Sequence, residues 1–407
     1  MIILSVNNSA DIYGSSRCLL RTMELFARDG HEVHVVVPCT GPLVGLLEDK
    51  GIKVHIHKNL AIIERTQFAS LAGKLSLMWK YPLSTLWLIR LILRLKVDLV
   101  HTNTGVLPSP ALAAKLTSRR HMWHIREFLS EFPSVWKIYQ YYMCLLSTKV
   151  ITISRTVQNQ FAAGLQDRCS IVYDGLGEDA MTVDQAEVAR FRSSIGDSYL
   201  LIGVIGRIKW VRKGQEVLVK AAGLLRDKFP SARYVIVGSV APGNQDHLVR
   251  LRELIHELGL DDRVVFTGDV EDPRPLYAAF DITVVPSVQP EPFGCVVMES
   301  MAAGTPVIGS RIGGIPEQIV DERTGLLFAP GDEVDLAHAL ERVMSDERLR
   351  LDMGLKSRQH FIEMFRMEET YRRLDQIFRG GIDSDQFPLK GSNENEVTEI
   401  SPSGNWS

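Results

Sequence analysis

The stretch Leu200-Leu-Ile-Gly-Val-Ile-Gly206-Arg207 runs into a basic loop, Ile208-Lys-Trp-Val-Arg-Lys213, and then into the amphipathic segment Gly214–Lys228. A second apolar, β-branched run follows at Arg233–Val237. Six apolar or small residues closing on a glycine read as a buried strand, and the next segment carries its apolar residues at helical spacing. Strand, loop, helix and strand in that order form a right-handed βαβ crossover, which makes the two strands parallel.

The same rhythm extends to both sides. Met1 leads directly into the apolar run Ile2–Val6, and further strands are expected at Glu32–Val37, Lys53–His57, Asp98–Thr102, His121–Ile125, Lys149–Ser154 and Cys169–Tyr173. Beyond the opening unit, strands are expected at Arg263–Thr267, Ile282–Pro286 and Pro306–Gly309. Helices are expected at Ser16–Asp29, His247–Leu258, Val334–Ser345 and Met367–Arg379. A polar, weakly patterned stretch at 176–198 separates the two series. The fold class is therefore α/β, with two doubly wound, Rossmann-like domains and a cleft between them: 1–185 and 198–366, with the 367–380 helix packing back on the first. In such sheets ligands bind beyond the C-terminal strand ends. Residues 382–407 are polar, without a periodic apolar face, and are expected to be a disordered tail.

Bulk properties narrow the function. The 407 residues are 45% hydrophobic and 23% charged with a formal net charge of −3, which argues against nucleic acid as principal partner. Five cysteines, Cys18, Cys39, Cys144, Cys169 and Cys295, form no Cys-x-x-Cys pair, as expected of reduced thiols in a cytoplasmic protein. The start lacks the basic and cleavage regions of a signal peptide. The most hydrophobic region, Leu75 to Val100, is interrupted by Lys80, Arg90, Arg94 and Lys96, so no run approaches the ~18 uncharged residues of a membrane span. Ser84–Lys96 reads as a helix apolar around most of its circumference. Two readings stay open for segment 74–96: a packed crossover helix with a snorkelling basic edge, or contact with a membrane surface through Trp79, Trp87 and the cations.

Chemistry concentrates in Glu291-Pro-Phe-Gly-Cys-Val-Val-Met-Glu299, where one acid sits in the loop feeding a helix and the other about two turns inside it. A helix start attracts anions, so flanking carboxylates make sense when they address hydroxyls beside a phosphate. A nucleotide sugar offers both groups. Arg207 and Lys213, at the C-terminal end of the opening strand, suit a diphosphate as fork and point charge. Gly14, in Ile12-Tyr13-Gly14-Ser15-Ser16, lets a backbone N–H approach a ligand, or it marks a tight turn with Ser15 or Ser16 as helix cap. His124 and His101 stand at strand ends facing the cleft, and each is otherwise a satisfied core histidine. Gly313 and Gly314 allow close approach of backbone to ligand, while Glu317 caps the following helix or pairs with a base. The chain has no zinc-like His and Cys cluster and no Gly-x-Ser-x-Gly elbow.

Together Gly206-Arg207…Lys213-Gly214, Pro286-Ser287, Glu291-Pro-Phe-Gly294…Glu299-Ser-Met-Ala-Ala-Gly304 and Gly313-Gly314…Glu317…Thr324-Gly-Leu-Leu closely resemble glycosyltransferase family 4, from residue 1 to about 380. The resemblance implies a GT-B fold and a retaining enzyme moving a sugar from a UDP- or GDP-sugar; no metal or other cofactor is expected, because no ordered cleft loop carries an Asp-x-Asp and two cations already stand at the site. It implies that Arg207 and Lys213 grip the diphosphate and that Glu291 bonds the transferred sugar. The N–H groups of Phe293, Gly294, Cys295 and Val296 would complete that pocket. Glu299 would hold the ribose, Gly14 would approach the phosphate and His124 the reacting centre. Base recognition would fall on backbone near Gly268–Val270. Three departures stand out. Arg207 to Lys213 is one residue longer than the pattern, so that Arg212 is a second candidate for the Lys213 role. The usual His-Asp appears as His-Ile-Arg-Glu, and the usual Asn-Gly as Asp174-Gly175. The implied acceptor is a glycan or polyprenyl-linked glycan, in cell-surface polysaccharide biosynthesis at the inner face of the plasma membrane. A nucleotide-sugar epimerase of the same architecture and a non-catalytic scaffold are the alternatives.

Overall fold

The computed structural model describes residues 1–12, 14–63, 70–129, 133–240 and 243–380; the expectation for 382–407 lies outside them. The first sheet contains β1 (Ile2–Val6), β2 (Glu32–Val37), β3 (Lys53–Ile56), β4 (Leu99–Thr102), β5 (Arg120–Ile125), β6 (Lys149–Thr152) and β7 (Cys169–Ile171). Its spatial order is β3-β2-β1-β4-β5-β6-β7. The second contains β8 (Leu200–Ile205), β9 (Ala232–Val237), β10 (Val264–Gly268), β11 (Ile282–Val285), β12 (Val307–Ser310) and β13 (Gly325–Phe328), in the order β10-β9-β8-β11-β12-β13. All strand pairings within the two sheets are parallel. Each order reverses once, between β1 and β4 and between β8 and β11. Loops diverge at those two switch points and leave a crevice.

Helices cover both faces of the first sheet. Leu19, Met23 and Phe26 pack on Ile3, Leu99 and Met122 on one side, joined by Leu374 and Phe378 of the Met367–Phe378 helix. Leu88, Leu91 and Ile92 pack on Leu4 and Val100 on the other. The C-terminal helix thus lies on the first domain, with the Phe378 ring stacked on Phe26 at 4.9 Å. Two chain segments link the domains, and they run side by side. Leu176 N donates to Phe365 O (2.9 Å) and Met367 N donates to Leu176 O (2.9 Å). Gly175 is required there, because a Cβ would stand 2.8 Å from the Arg366 carbonyl and 2.7 Å from Thr370 Oγ1.

Three elements differ from expectation. The helix expected from Ser84 begins thirteen residues earlier, spanning Leu71–Leu95, capped by Ser70 Oγ accepting from Gly73 N at 3.0 Å. Pro82 sits inside it on the exposed side and does not end it. The Glu347–Met364 helix has no apolar period to betray it, since its buried face includes Gly354 and Ser357 beside Met353 and Phe361. Gly354 meets Gly304 there, backbone against backbone. Strand β13 is only four residues long and reads equally as a turn.

Candidate functional site

The loops after β8 and β11 meet at the second switch point. After Arg207 the basic loop is pinned to the loop beyond β11, since Arg212 O accepts from Val288 N (3.1 Å) and Gln289 N (3.4 Å). Gly214 (φ +67°) packs against the Pro286 carbonyl, with no room for a Cβ. A three-residue turn closed by Arg212 N donating to Trp210 O (2.9 Å) puts Val211 at φ +70°. A β-branched residue there is strained. The loop between Arg207 and Lys213 passes through this tight turn, and Lys213 reaches inward. Its ammonium donates to Glu291 Oε1 at 2.6 Å, and Ser287 Oγ donates to the same oxygen. One of three ammonium N–H groups is so used. Arg207 is exposed at the strand end, and Gln215 Nε2 donates to its carbonyl (3.1 Å).

Glu291 is held from below by glycines. Gly314 N donates to Glu291 O at 2.8 Å, and a Cβ on Gly313 (φ +62°) would overlap the Glu291 backbone. Gly313 and Gly314 therefore approach this loop. Close backbone packing, which has no side-chain signature, explains both. Phe293-Gly294 leads into the Cys295–Ala303 helix, so Glu299 is its fifth residue, nearer the start than the two turns expected. Gln318 clamps the helix entrance by accepting from Gly294 N (3.1 Å) and donating to Gly294 O (2.9 Å). Tyr277, fully buried, donates its hydroxyl to Glu299 Oε2 at 2.8 Å, which fixes that carboxylate. Gly268 takes φ +72° at a register shift in β10, beside Asp269, whose carboxylate accepts from Ser239 N (3.0 Å).

On the first domain, Gly14 (φ +27°) opens the Gly14–Arg28 helix directly after the β1 loop. Ser16 does not cap it; Ser16 is buried and bonded to Asn7 Nδ2 (3.1 Å) and Asp11 Oδ1 (3.1 Å). His124 lies inside β5 with no exposure. Burial, then the neighbouring Arg126 charge and His101, hold its imidazole well below the ordinary histidine range. Arg126 has only donors, so Nδ1 of His124, 3.4 Å from the guanidinium, is the acceptor and Nε2 carries the proton. That Nε2 has no partner among the described residues. His101 sits on the same sheet face, its ring centroid 5.7 Å from His124, and its Nδ1 bonds Ser5 Oγ at 2.8 Å.

Two of the departures from the family pattern meet here. Arg126, the first residue beyond β5, forms a buried ion pair with Asp174, its Nη1 facing both carboxylate oxygens, and its Nε donates to Asn103 Oδ1 at 3.1 Å. Asn103 in turn donates to Asn7 Oδ1 (2.9 Å) and Ser15 O (3.0 Å), tying the ends of β1, β4, β5 and β7 together. The next residue, Glu127, is half-buried, and accepts from Gly105 N (3.0 Å) and Arg126 N (3.1 Å). Burial raises its pKa despite those bonds. This network borders the Cys295–Ala303 helix, since the Asp174 charge acts on Cys295. The neighbouring Cys18 thiol, then burial, then the Glu299 and Asp174 charges push the Cys295 thiol well above its ordinary range.

The domains also touch at Glu317. Its carboxylate accepts from Arg155 N (2.7 Å), Thr156 N (2.7 Å), Thr156 Oγ1 (2.7 Å) and Tyr173 OH (3.1 Å). It caps the Arg155–Gln158 helix of the first domain, and not the helix following it in sequence. Beside it the Tyr173 and Phe293 rings stack at 5.1 Å. Tyr277, Ser287, Gln318, Arg126 and Asp174 thus hold the candidate residues in place, and no motif or spacing in the sequence marks these contacts.

Comparison with known proteins agrees with this architecture. Residues 12–179 match the family model described as Glycosyltransferase Family 4, and residues 185–360 match that described as Glycosyl transferases group 1. An uncharacterised glycosyltransferase of Methanocaldococcus jannaschii is 34% identical over 232 residues, 55% of this chain and 54% of that protein. A D-inositol 3-phosphate glycosyltransferase of Stackebrandtia nassauensis is 34% identical over 196 residues, 46% and 44% of the two chains. The chain spans about half the length of the curated relatives it matches. HepE of Anabaena in complex with UDP superposes with a TM-score of 0.81 at 23% identity, covering 93% of this chain and 100% of that one. HepE has also been crystallised with UDP-glucose. With both halves matched by its models, and two parallel sheets arranged as in HepE, the chain belongs to the family 4, group 1 glycosyltransferases of GT-B fold.

Proposed function

We propose that this chain is a retaining glycosyltransferase that moves a sugar from a UDP- or GDP-sugar to a glycan or polyprenyl-linked glycan in cell-surface polysaccharide biosynthesis. The Lys213–Glu291 pair, at 2.6 Å on the second switch point, carries the reading. An ammonium with further donors beside a fixed carboxylate suits a ligand that presents phosphate oxygens and hydroxyls together. Arg207 and Lys213 hold the diphosphate and offset its growing charge as it leaves. Glu291 accepts from hydroxyls of the transferred sugar, next to the N–H groups of Phe293 to Val296, and Glu299, fixed by Tyr277, holds the ribose. Gly14 approaches the phosphate from the first domain. His124, neutral and protonated on Nε2, donates to the sugar, with Arg126 as its positioning partner.

The sugar's anomeric bond to the phosphate breaks while the acceptor oxygen bonds the same face, and the acceptor proton passes to a departing phosphate oxygen. Two side-chain cations already oppose the phosphate charge, so the reaction proceeds without metal. Activity lost in chelator and restored by manganese would contradict this. UDP is the first nucleotide to try, because HepE binds it. Replacing Glu291→Ala lowers turnover about ten- to a hundredfold, as expected for loss of a hydrogen bond to a charged group. Folding stays intact, since Lys213 is part-exposed. Near-normal turnover in that variant would overturn the assignment, and conversion of the UDP-sugar without acceptor would favour an epimerase.

A further inference from the structure

The Leu71–Leu95 helix is far longer than β4, which follows it, and only Ser84, Thr85, Leu88, Leu91 and Ile92 along it are buried. None of its first thirteen residues is fully buried. Helices of βαβ units run antiparallel to their strands, so this overhanging end lies toward the C-terminal strand edge, where the cleft opens. Leu71, Leu75, Met78, Leu86 and Leu93 recur three, four, seven or eight residues apart, all exposed on one outward face; Met78 is 70% and Trp79 72% accessible. On helical geometry Lys74 flanks one edge of this stripe and Arg90 and Arg94 the other.

The neighbouring Pro133–Leu146 helix continues the surface. Tyr81 and Tyr142 join the two helices, hydroxyl to hydroxyl at 2.9 Å. Ile138, Tyr141 and Leu145 share the outward side of the second helix, Ile138 at 75% and Leu145 at 71% exposure. Neither helix, nor Ser109–Leu116 between them, carries a single Asp or Glu, although the whole chain has a net charge of −3. Apolar residues ringed by cations alone complement one kind of partner well. A second copy of the chain would set cations against cations across a two-fold interface. No helix among the described residues is long and apolar enough to cross a membrane.

We propose that this face lies in the headgroup region of an anionic bilayer, with the apolar stripe inserted, the cations at the lipid phosphates, and the cleft turned toward the membrane surface. This goes beyond the donor chemistry and stands on the surface alone. The test is flotation of the full chain with vesicles of phosphatidylglycerol and phosphatidylcholine, compared with phosphatidylcholine alone. Binding should require the anionic lipid and weaken with salt. Variants Met78→Glu/Trp79→Glu and Lys74→Glu/Arg90→Glu should each lower partition about tenfold or more. UDP affinity, measured by calorimetry, should be unchanged in both variants, which separates failure of this proposal from failure of the transferase reading. Equal partition of wild type and variants, no binding to anionic vesicles, or a dimer dissociated by the Met78/Trp79 change would overturn it.

Discussion

A carboxylate gripped by an ammonium and a hydroxyl has its direction chosen for it, and that is the condition of Glu291 between Lys213 and Ser287. Glu299 owes its direction to one phenol. The two acids and the basic loop were legible as residue types at a telling spacing. Their orienting partners were not: Tyr277 comes from the Arg274–Ala279 helix and meets Glu299 only through folding, and Ser287, four residues before Glu291 in the same loop, turns toward it only because the loop folds back. The buried Arg126–Asp174 pair makes the same point. Removing one partner of a buried pair leaves an uncompensated charge, which costs about 3–5 kcal/mol. Asp174→Asn alone should therefore destabilise strongly, whereas Arg126→Gln/Asp174→Asn should recover part of the loss. A double-mutant cycle in urea should give a coupling above about 1 kcal/mol. Additive effects would mean that the two side chains do not depend on each other.

At the scale of elements, glycines and turns set the geometry of the site. Gly313 and Gly314 let the β12 loop pass under Glu291, and the tight turn at Val211 keeps Lys213 facing inward. Gly313→Ala places a side chain in left-handed backbone and into the Glu291 loop, costing about 1–2 kcal/mol from conformation alone. Turnover should fall as the Glu291 carboxylate shifts, while UDP affinity changes less; unaltered turnover would mean that the loop yields without moving the carboxylate. Element positions themselves were mostly readable from periodicity. β2 and β8 span Glu32–Val37 and Leu200–Ile205, the residues expected. Periodicity failed where burial is not apolar, as along the Gly354 and Ser357 face, and where a helix faces no core, as at Leu71–Leu83.

Over the whole molecule, two sheets are joined by paired crossing segments and by the Glu317 carboxylate seated on a first-domain helix. The polar ends of the first sheet carry a stability cost that depends on pH. His101 and His121 are buried neutral, burial holding each pKa near about 3, with Arg126 adding at His101. Their ordinary value is 6.5, so below it the unfolded chain binds protons that the folded one refuses. Stability is complete above that pH and is lost as pH falls through the window toward 3, with His124 acting in the same direction. At pH 5 the loss is roughly 2 kcal/mol per histidine. Urea midpoints should fall clearly between pH 7 and pH 5, and equal midpoints would refute the buried neutral state. Local signals, strand and helix periods and short motifs, were enough to read the two parallel sheets and the residue types of the candidate site. Tertiary structure alone decided which groups face one another: Tyr277 with Glu299, Arg126 with Asp174, Glu317 with the opposite domain, and an uncovered helix face with the solvent. Those pairings join residues far apart in the chain, and no spacing records a contact that only packing creates.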